Sequence, residues 1–209
     1  MYKLIGRPGW GSVMVEAQLA WYGLDHTVEN VDDLFKSAQA REDLAKLNPL
    51  AQLPTLILPS GEVMTESAAI TLYLADATGS TELVPAPTEP TRAKFLRWLV
   101  FIVANLYPTF TYADDPARFV PGEESQKGFR ANVDAYARKL WGVMDADAGQ
   151  PWFLGDRLSA IDIYIAAMTH WRPKRAWFAT NAPRLHAIAT AGDALPKLQA
   201  VWSRNYPQS

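Results

Sequence analysis

An α/β domain followed by an all-α domain is the fold class this sequence predicts. Three observations predict it: an opening that alternates short apolar runs with helical patterns, a Pro- and Gly-rich break around residues 79–90, and helical periodicity throughout the remainder. Tyr2 to Gly6 reads as a short strand. The loop that follows, Gly6-Arg7-Pro8-Gly9-Trp10-Gly11-Ser12, is rich in residues that let backbone approach a ligand closely. Val13 to Gly23 carries Val13, Ala17, Ala20 and Trp21 on one helical side, with Gly23 as a C-terminal stop. His26 to Val31 gives a second strand, and Ala38 to Leu47 a loose helical segment.

Residues 48 to 70, N-P-L-A-Q-L-P-T-L-I-L-P-S-G-E-V-M-T-E-S-A-A-I, organise this half. Asn48-Pro49 stops a helix, Pro54 opens a short apolar strand, Ser60-Gly61 turns the chain, and a second strand completes a hairpin. A proline at the first residue of a strand suits an edge or a bend, which offers the main chain of Leu53 to a ligand. Glu66-Ser67 then opens an Ala-rich helix running to about Ala77. Its unpaired N–H groups and positive dipole end make Ser67 a seat for a carboxylate.

We place a first domain at residues 1–78, a stiff linker at 79–90, and a helical domain at 91–209. Phe95, Trp98, Leu99, Ile102 and Leu106 form one apolar stripe, and Phe129, Val133, Tyr136, Leu140 and Val143 a second, predicting an antiparallel helix pair. Pro108 ends or kinks the first of these helices. Ser159 and Asp162 have the spacing of an N-terminal capping box before a very apolar helix.

Composition narrows the function. The 209 residues are 49% hydrophobic and 20% charged with net charge −2, an ordinary globular mixture with no basic tract to follow a nucleic acid or an anionic membrane. Arg172, Lys174 and Arg175 read as a solvated helix end. No apolar run reaches the length of a membrane span and the opening residues do not read as a signal peptide, so a cytoplasmic protein is expected. The absence of cysteine excludes disulfides, thiolate metal sites and a protein thiol nucleophile.

Residues 48–70 resemble the glutathione-binding segment of the glutathione transferase family, whose N-P-x-x-x-[VLI]-P-x-L…E-S-x-A-I pattern they match almost position for position. Gly155-Asp156-Arg157-Leu158-Ser159-Ala160-Ile161-Asp162 is similar to the family's Gly-Asp-x-x-Ser-x-x-Asp element. The likeness covers the whole chain and is strongest at 48–77 and 152–166. It implies a bacterial-type cytosolic transferase with a thioredoxin-like domain (β-α-β-α-β-β-α) that binds glutathione as co-substrate and a helical bundle that completes a hydrophobic pocket. It further implies a homodimer with a role in detoxification, and no metal.

The resemblance also assigns residues. Leu53, with Pro54 fixing the bend, pairs through its main chain with the cysteinyl unit of glutathione. Glu66 and Ser67 hold the γ-glutamyl end. Gln39 falls where several classes place a residue on the glycine carboxylate, and reads equally well as an ordinary exposed helix residue. The position of the catalytic Ser or Cys in theta-, zeta- and omega-like members falls on Gly9, and that of the beta-class Cys on Gly11. Ser12 is the remaining hydroxyl, read either as thiolate partner or as helix N-cap, with the backbone of Trp10 and Gly11 as the alternative donor. Trp10, Trp98, Tyr107, Phe110, Tyr112 and Trp171 are candidates for an apolar wall facing the electrophile, each also readable as plain core. The implied reaction is addition of the activated thiol to a hydrophobic electrophile, or substitution on it. Glutathione-dependent disulfide or peroxide reduction, and non-catalytic ligand binding, are the alternatives.

Overall fold

Strand β1 (Tyr2–Gly6) divides the first unit, because successive side chains on a strand point to opposite faces. The computed structural model describes residues 1–207. Parallel pairing of β1 with β2 (His26–Asn30) requires a crossover, supplied by α1 (Ser12–Trp21). After α2 (Ala38–Ala45) come β3 (Thr55–Ile57) and β4 (Val63–Met64), the expected hairpin, and then α3 (Ser67–Thr78). The sheet order is β2-β1-β3-β4, with β3 antiparallel to both neighbours and Leu4 opposite Leu56.

On one face Tyr2, Leu4, Leu56 and Leu58 pack with Val15 and Leu19 of α1 and Ile70 and Leu74 of α3. On the other, Ile5 packs with Leu34, Leu44 and Leu53. Fully burying each Leu or Ile contributes about 1.5–3 kcal/mol. Helix α1 ends as expected at Gly23, whose φ of 64° permits the bonds Gly23 N–H to Ala20 O (3.1 Å) and Leu24 N–H to Leu19 O (2.9 Å).

Two units emerge: Met1–Val84 together with the chain from Gly192 onward, and Pro85–Ala191. The first break falls inside the expected linker. The chain from Gly192 onward, expected with the helical domain, groups with the first unit. Val201 and Trp202 of α10 (Gln199–Asn205) are buried, and α10 lies against α1, with Arg204 paired to Glu16.

The second unit comprises α4 (Arg92–Phe101), a π turn (Ile102–Leu106), α5 (Tyr107–Asp114), α6 (Glu123–Asp147), α7 (Ala160–Met168), α8 (Arg175–Asn181) and most of α9 (Pro183–Asp193). The stripe Phe95, Trp98, Leu99, Ile102 and Leu106 is buried as expected. Pro108 neither ends nor breaks the helical run. The preceding turn widens to π geometry, with Tyr107 N–H on Ile102 O, and Pro108 falls in the first turn of α5, where a missing N–H is tolerated.

On α6 the buried set is Ala137, Leu140, Trp141 and Met144, while Tyr136 and Val143 are exposed. The true stripe is therefore rotated from the expected one, drawn inward by Trp141, whose ring packs 5.0 Å from Phe178. Of Arg172, Lys174 and Arg175, expected as a solvated helix end, Lys174 is exposed while the two arginines are half-buried. Arg172 joins Asp114 and Asp134 (3.0 Å from Nε), Arg175 donates to Ala166 O (2.8 Å), and Lys174 to His170 O (3.0 Å).

The capping box is present. Asp162 accepts from Ser159 N–H (2.7 Å) and Ser159 Oγ (3.0 Å) with one oxygen, and from Phe153 N–H (2.7 Å) with the other. Burial pushes its carboxyl up to about 6, against the lowering effect of these bonds.

Candidate functional site

The loop between β1 and α1 is closed on itself by Arg7. Ser12 Oγ accepts from Arg7 N–H (3.0 Å) and donates to Arg7 O (3.2 Å), and the same carbonyl takes Trp10 N–H at 3.0 Å. Gly6 is required here, because a Cβ would lie 2.6 Å from Ser12 Oγ. The Arg7 side chain reaches Val31 O (3.0 Å) and lies 5.6 Å from the Trp10 ring. Ser12 is 2% exposed and does not cap α1, whose N-cap is Gly11 with no side-chain partner. Its hydroxyl is thus a loop clasp on Arg7, which corrects the N-cap role expected for it. The Trp10 amide is also engaged. Among the described residues, the amides of Gly11 and Ser12 at the start of α1 have no hydrogen-bond partner.

The loop is tied from a distant part of the chain. Gly9, at φ 75°, donates its N–H to Asn205 Oδ1 at 3.1 Å. A Cβ at position 9 would meet Asn205 O at 3.3 Å and the Tyr206 ring at 3.8 Å. Nothing local marks Asn205, so reading the sequence missed it.

Across the sheet edge, Asn48 shapes the segment before β3. Its Nδ2 donates to Gln52 O (2.9 Å) and Thr55 Oγ1 (3.2 Å), and its Oδ1 accepts from Leu50 N–H (3.1 Å). The sequence marks it only as a helix stop. The Leu53-Pro54 bond that follows is cis. Leu53 and Trp10 border the same apolar cluster, so the structure brings the two expected site segments together. Trp10 also packs 5.1 Å from Phe35.

Helix α3 begins with Glu66 at φ 62°, ψ 98°, an outlier for a non-glycine residue, and no side chain caps its first turn. Glu66 is exposed and Ser67 is 7% exposed. Thr71 Oγ1 donates to Ser67 O (2.9 Å) and accepts from the buried Gln18 Nε2 (3.0 Å), tying this turn to α1. Gln39 is exposed, with its amide on Asp43 (3.0 Å) of the same helix.

In the second unit only three of the expected aromatic residues converge. Tyr107, Phe110 and Trp171 pack edge to face at centroid distances of 5.1 to 6.4 Å. Trp98 is core, 1% exposed, with its indole N–H on Asp147 (2.6 Å) and its ring against Phe101 and Phe153. Tyr112 sits apart, exposed and stacked edgewise on Phe119.

A family model for the glutathione S-transferase N-terminal domain matches residues 12–77. The chain is 39% identical over 206 residues, 98% of each protein, to YncG of Escherichia coli K12, an uncharacterized GST-like protein. The chain belongs to the glutathione S-transferase family. Glutathione S-transferase GstA of Escherichia coli O157:H7 is 31% identical over 169 residues, 81% of each chain. A sphingomonad glutathione S-transferase, solved in complex with glutathione, is 27% identical with a TM-score of 0.76, covering 99% of this chain and 100% of that one.

Family membership fixes the fold as a thioredoxin-like unit plus a helical one. At the loop after β1 this family member presents backbone, because position 9 has no side chain and the Ser12 hydroxyl faces Arg7. Among the described residues no cluster of His, Asp and Glu has the makings of a metal site, and no helix is long and apolar enough to cross a membrane.

Proposed function

We propose that the protein is a glutathione transferase that ionises the glutathione thiol with backbone amides. The observation that carries this reading is the pair of unpartnered N–H groups of Gly11 and Ser12 at the positive end of α1. A thiol near a pKa of about 8.5 needs roughly 2.7 kcal/mol of preferential thiolate stabilisation to fall by two units. A hydrogen bond to a charged group contributes about 1.5–3 kcal/mol, and a helix N-terminus about 0.3–1 kcal/mol more. Two amides and the dipole reach the required size without a hydroxyl.

The thiol loses its proton to solvent, and the sulfur lone pair forms a bond to an electrophilic centre. Substitution expels a leaving group, and addition takes up a proton. Leu53 pairs with the cysteinyl unit, Pro54 holds the bend, and Glu66 with Ser67 and the first-turn amides of α3 receive the γ-glutamyl end. The strained backbone at Glu66 supports that last role. We leave Gln39 out of the site, because its amide is held by Asp43, whose charge opposes a carboxylate. The cluster of Tyr107, Phe110 and Trp171 offers apolar surface to a hydrophobic co-substrate.

A non-catalytic binding protein is the second reading, favoured by the inward turn of the Ser12 hydroxyl. A pH titration of the ultraviolet thiolate absorbance of glutathione saturating the protein decides between them. A midpoint well below that of free glutathione supports the transferase. An unshifted midpoint with binding intact supports the binder.

A further inference from the structure

The side chain of Asn205 stands where the C-terminal helix meets both the loop after β1 and the helix that follows it. Its Nδ2 faces two acceptors, Glu16 Oε2 at 3.1 Å and Val201 O at 2.9 Å, so its Oδ1 is committed to the Gly9 N–H at 3.1 Å. Glu16 is a carboxylate on α1 with 2% exposure, four residues after Ser12, and Arg204 pairs with it from the neighbouring position of α10. A buried charge so held is a fixed acceptor, and it fixes the orientation of the Asn205 amide in turn. The amide thereby spans the two segments whose relative angle aims the Gly11 and Ser12 N–H groups. Asn205 is 6% exposed and its polar atoms are occupied, so it acts through the loop and not on a ligand.

We infer that Asn205 is a positioning residue: through Gly9 on one side and Glu16 on the other, it sets the direction of the amides that hold the thiolate. The inference rests on the glutathione-activating reading above. It assigns to the C-terminal helix a part in the chemistry of the first unit.

The test compares wild type with Asn205→Ala, Val201→Ala and the double variant Glu16→Gln, Asn205→Asp. Each is titrated for the bound thiolate, assayed for kcat and KM against an aryl halide, and measured for glutathione affinity. Asn205→Ala is expected to raise the thiol midpoint by about one pH unit, a roughly tenfold smaller thiolate fraction below it. The lost turnover returns as pH rises, while glutathione affinity stays within about twofold. Val201→Ala loosens the same helix without touching the amide, and is expected to keep the wild-type midpoint. The double variant retains an acceptor for Gly9 and a donor–acceptor pair with α1, and is expected to keep it too, which preserves the test if Asn205→Ala fails to fold.

A wild-type midpoint in folded Asn205→Ala overturns the inference. So does an equal shift in Val201→Ala, in the double variant, or in glutathione affinity. An unshifted midpoint in wild type itself overturns the activating reading instead, so the two failures are distinct.

Discussion

Replacing Asp162 tests how a buried carboxylate is balanced at the start of α7. In Asp162→Ala the amides of Phe153 and Ser159 lose their acceptor in a region where Phe153 and Ser159 are at most 1% exposed. Each orphaned buried donor costs about 1–3 kcal/mol, so the loss is on the order of 4 kcal/mol before any relief is counted. The relief comes from removing a charge whose burial raises its carboxyl to about 6 from 3.8. That is roughly 3 kcal/mol of opposition to ionisation.

The sign follows from linkage. The folded pKa lies above the unfolded one, so the stability linked to this proton is fully present below about pH 3.8 and is lost as pH rises through about 6. Urea unfolding of wild type and Asp162→Asn, run from pH 4 to 7, isolates the effect, since the variant has no proton to exchange at this position. The wild-type advantage should shrink by about 2–3 kcal/mol across that window. An advantage that grows with pH would refute the reasoning, because the three hydrogen bonds would then outweigh burial of the charge.

Ser67→Ala should weaken glutathione binding about tenfold, about 1.4 kcal/mol, by calorimetry; unchanged affinity removes the seat at α3. Ser12→Ala should lower unfolding stability by about 1–2 kcal/mol through the orphaned Arg7 amide, yet leave the bound thiol midpoint near wild type. A raised midpoint with unaltered stability would return the hydroxyl to the role of thiolate partner. Asn48→Ala removes three side-chain bonds that shape residues 48–55 and should cost about 2–3 kcal/mol in urea, with weaker glutathione binding alongside. Full affinity in that variant would show that Leu53 is held by its apolar cluster alone.

The elements with strong local signals were legible in the sequence. The strands, the Gly23 stop, the Pro54 hairpin and the Ser159–Asp162 box each depend on residues within about one turn of each other. What escaped depends on distant partners. Trp98 fell both on the core stripe and among the wall candidates, and Asp147, 49 positions away, receives its indole N–H and holds it in the core. Helical spacing on α6 admits two neighbouring stripes, and the choice went to the one carrying Trp141, whose partner Phe178 lies on another helix. Ser12 is one residue from the expected helix start. Its inward turn follows from the close approach of Gly6, which no spacing rule encodes.

The contact between Gly9 and Asn205 spans 196 positions, and it bears on the glycine at position 9, where the family resemblance predicts a hydroxyl or thiol. A side chain at position 9 would need a left-handed backbone, at about 1–2 kcal/mol, and its Cβ would press on Asn205 O at 3.3 Å. Glycine at position 9 and the asparagine anchor are therefore two halves of one arrangement. In the proposed arrangement the Asn205 amide holds the loop through Gly9 and so keeps the backbone donors of Gly11 and Ser12 in place.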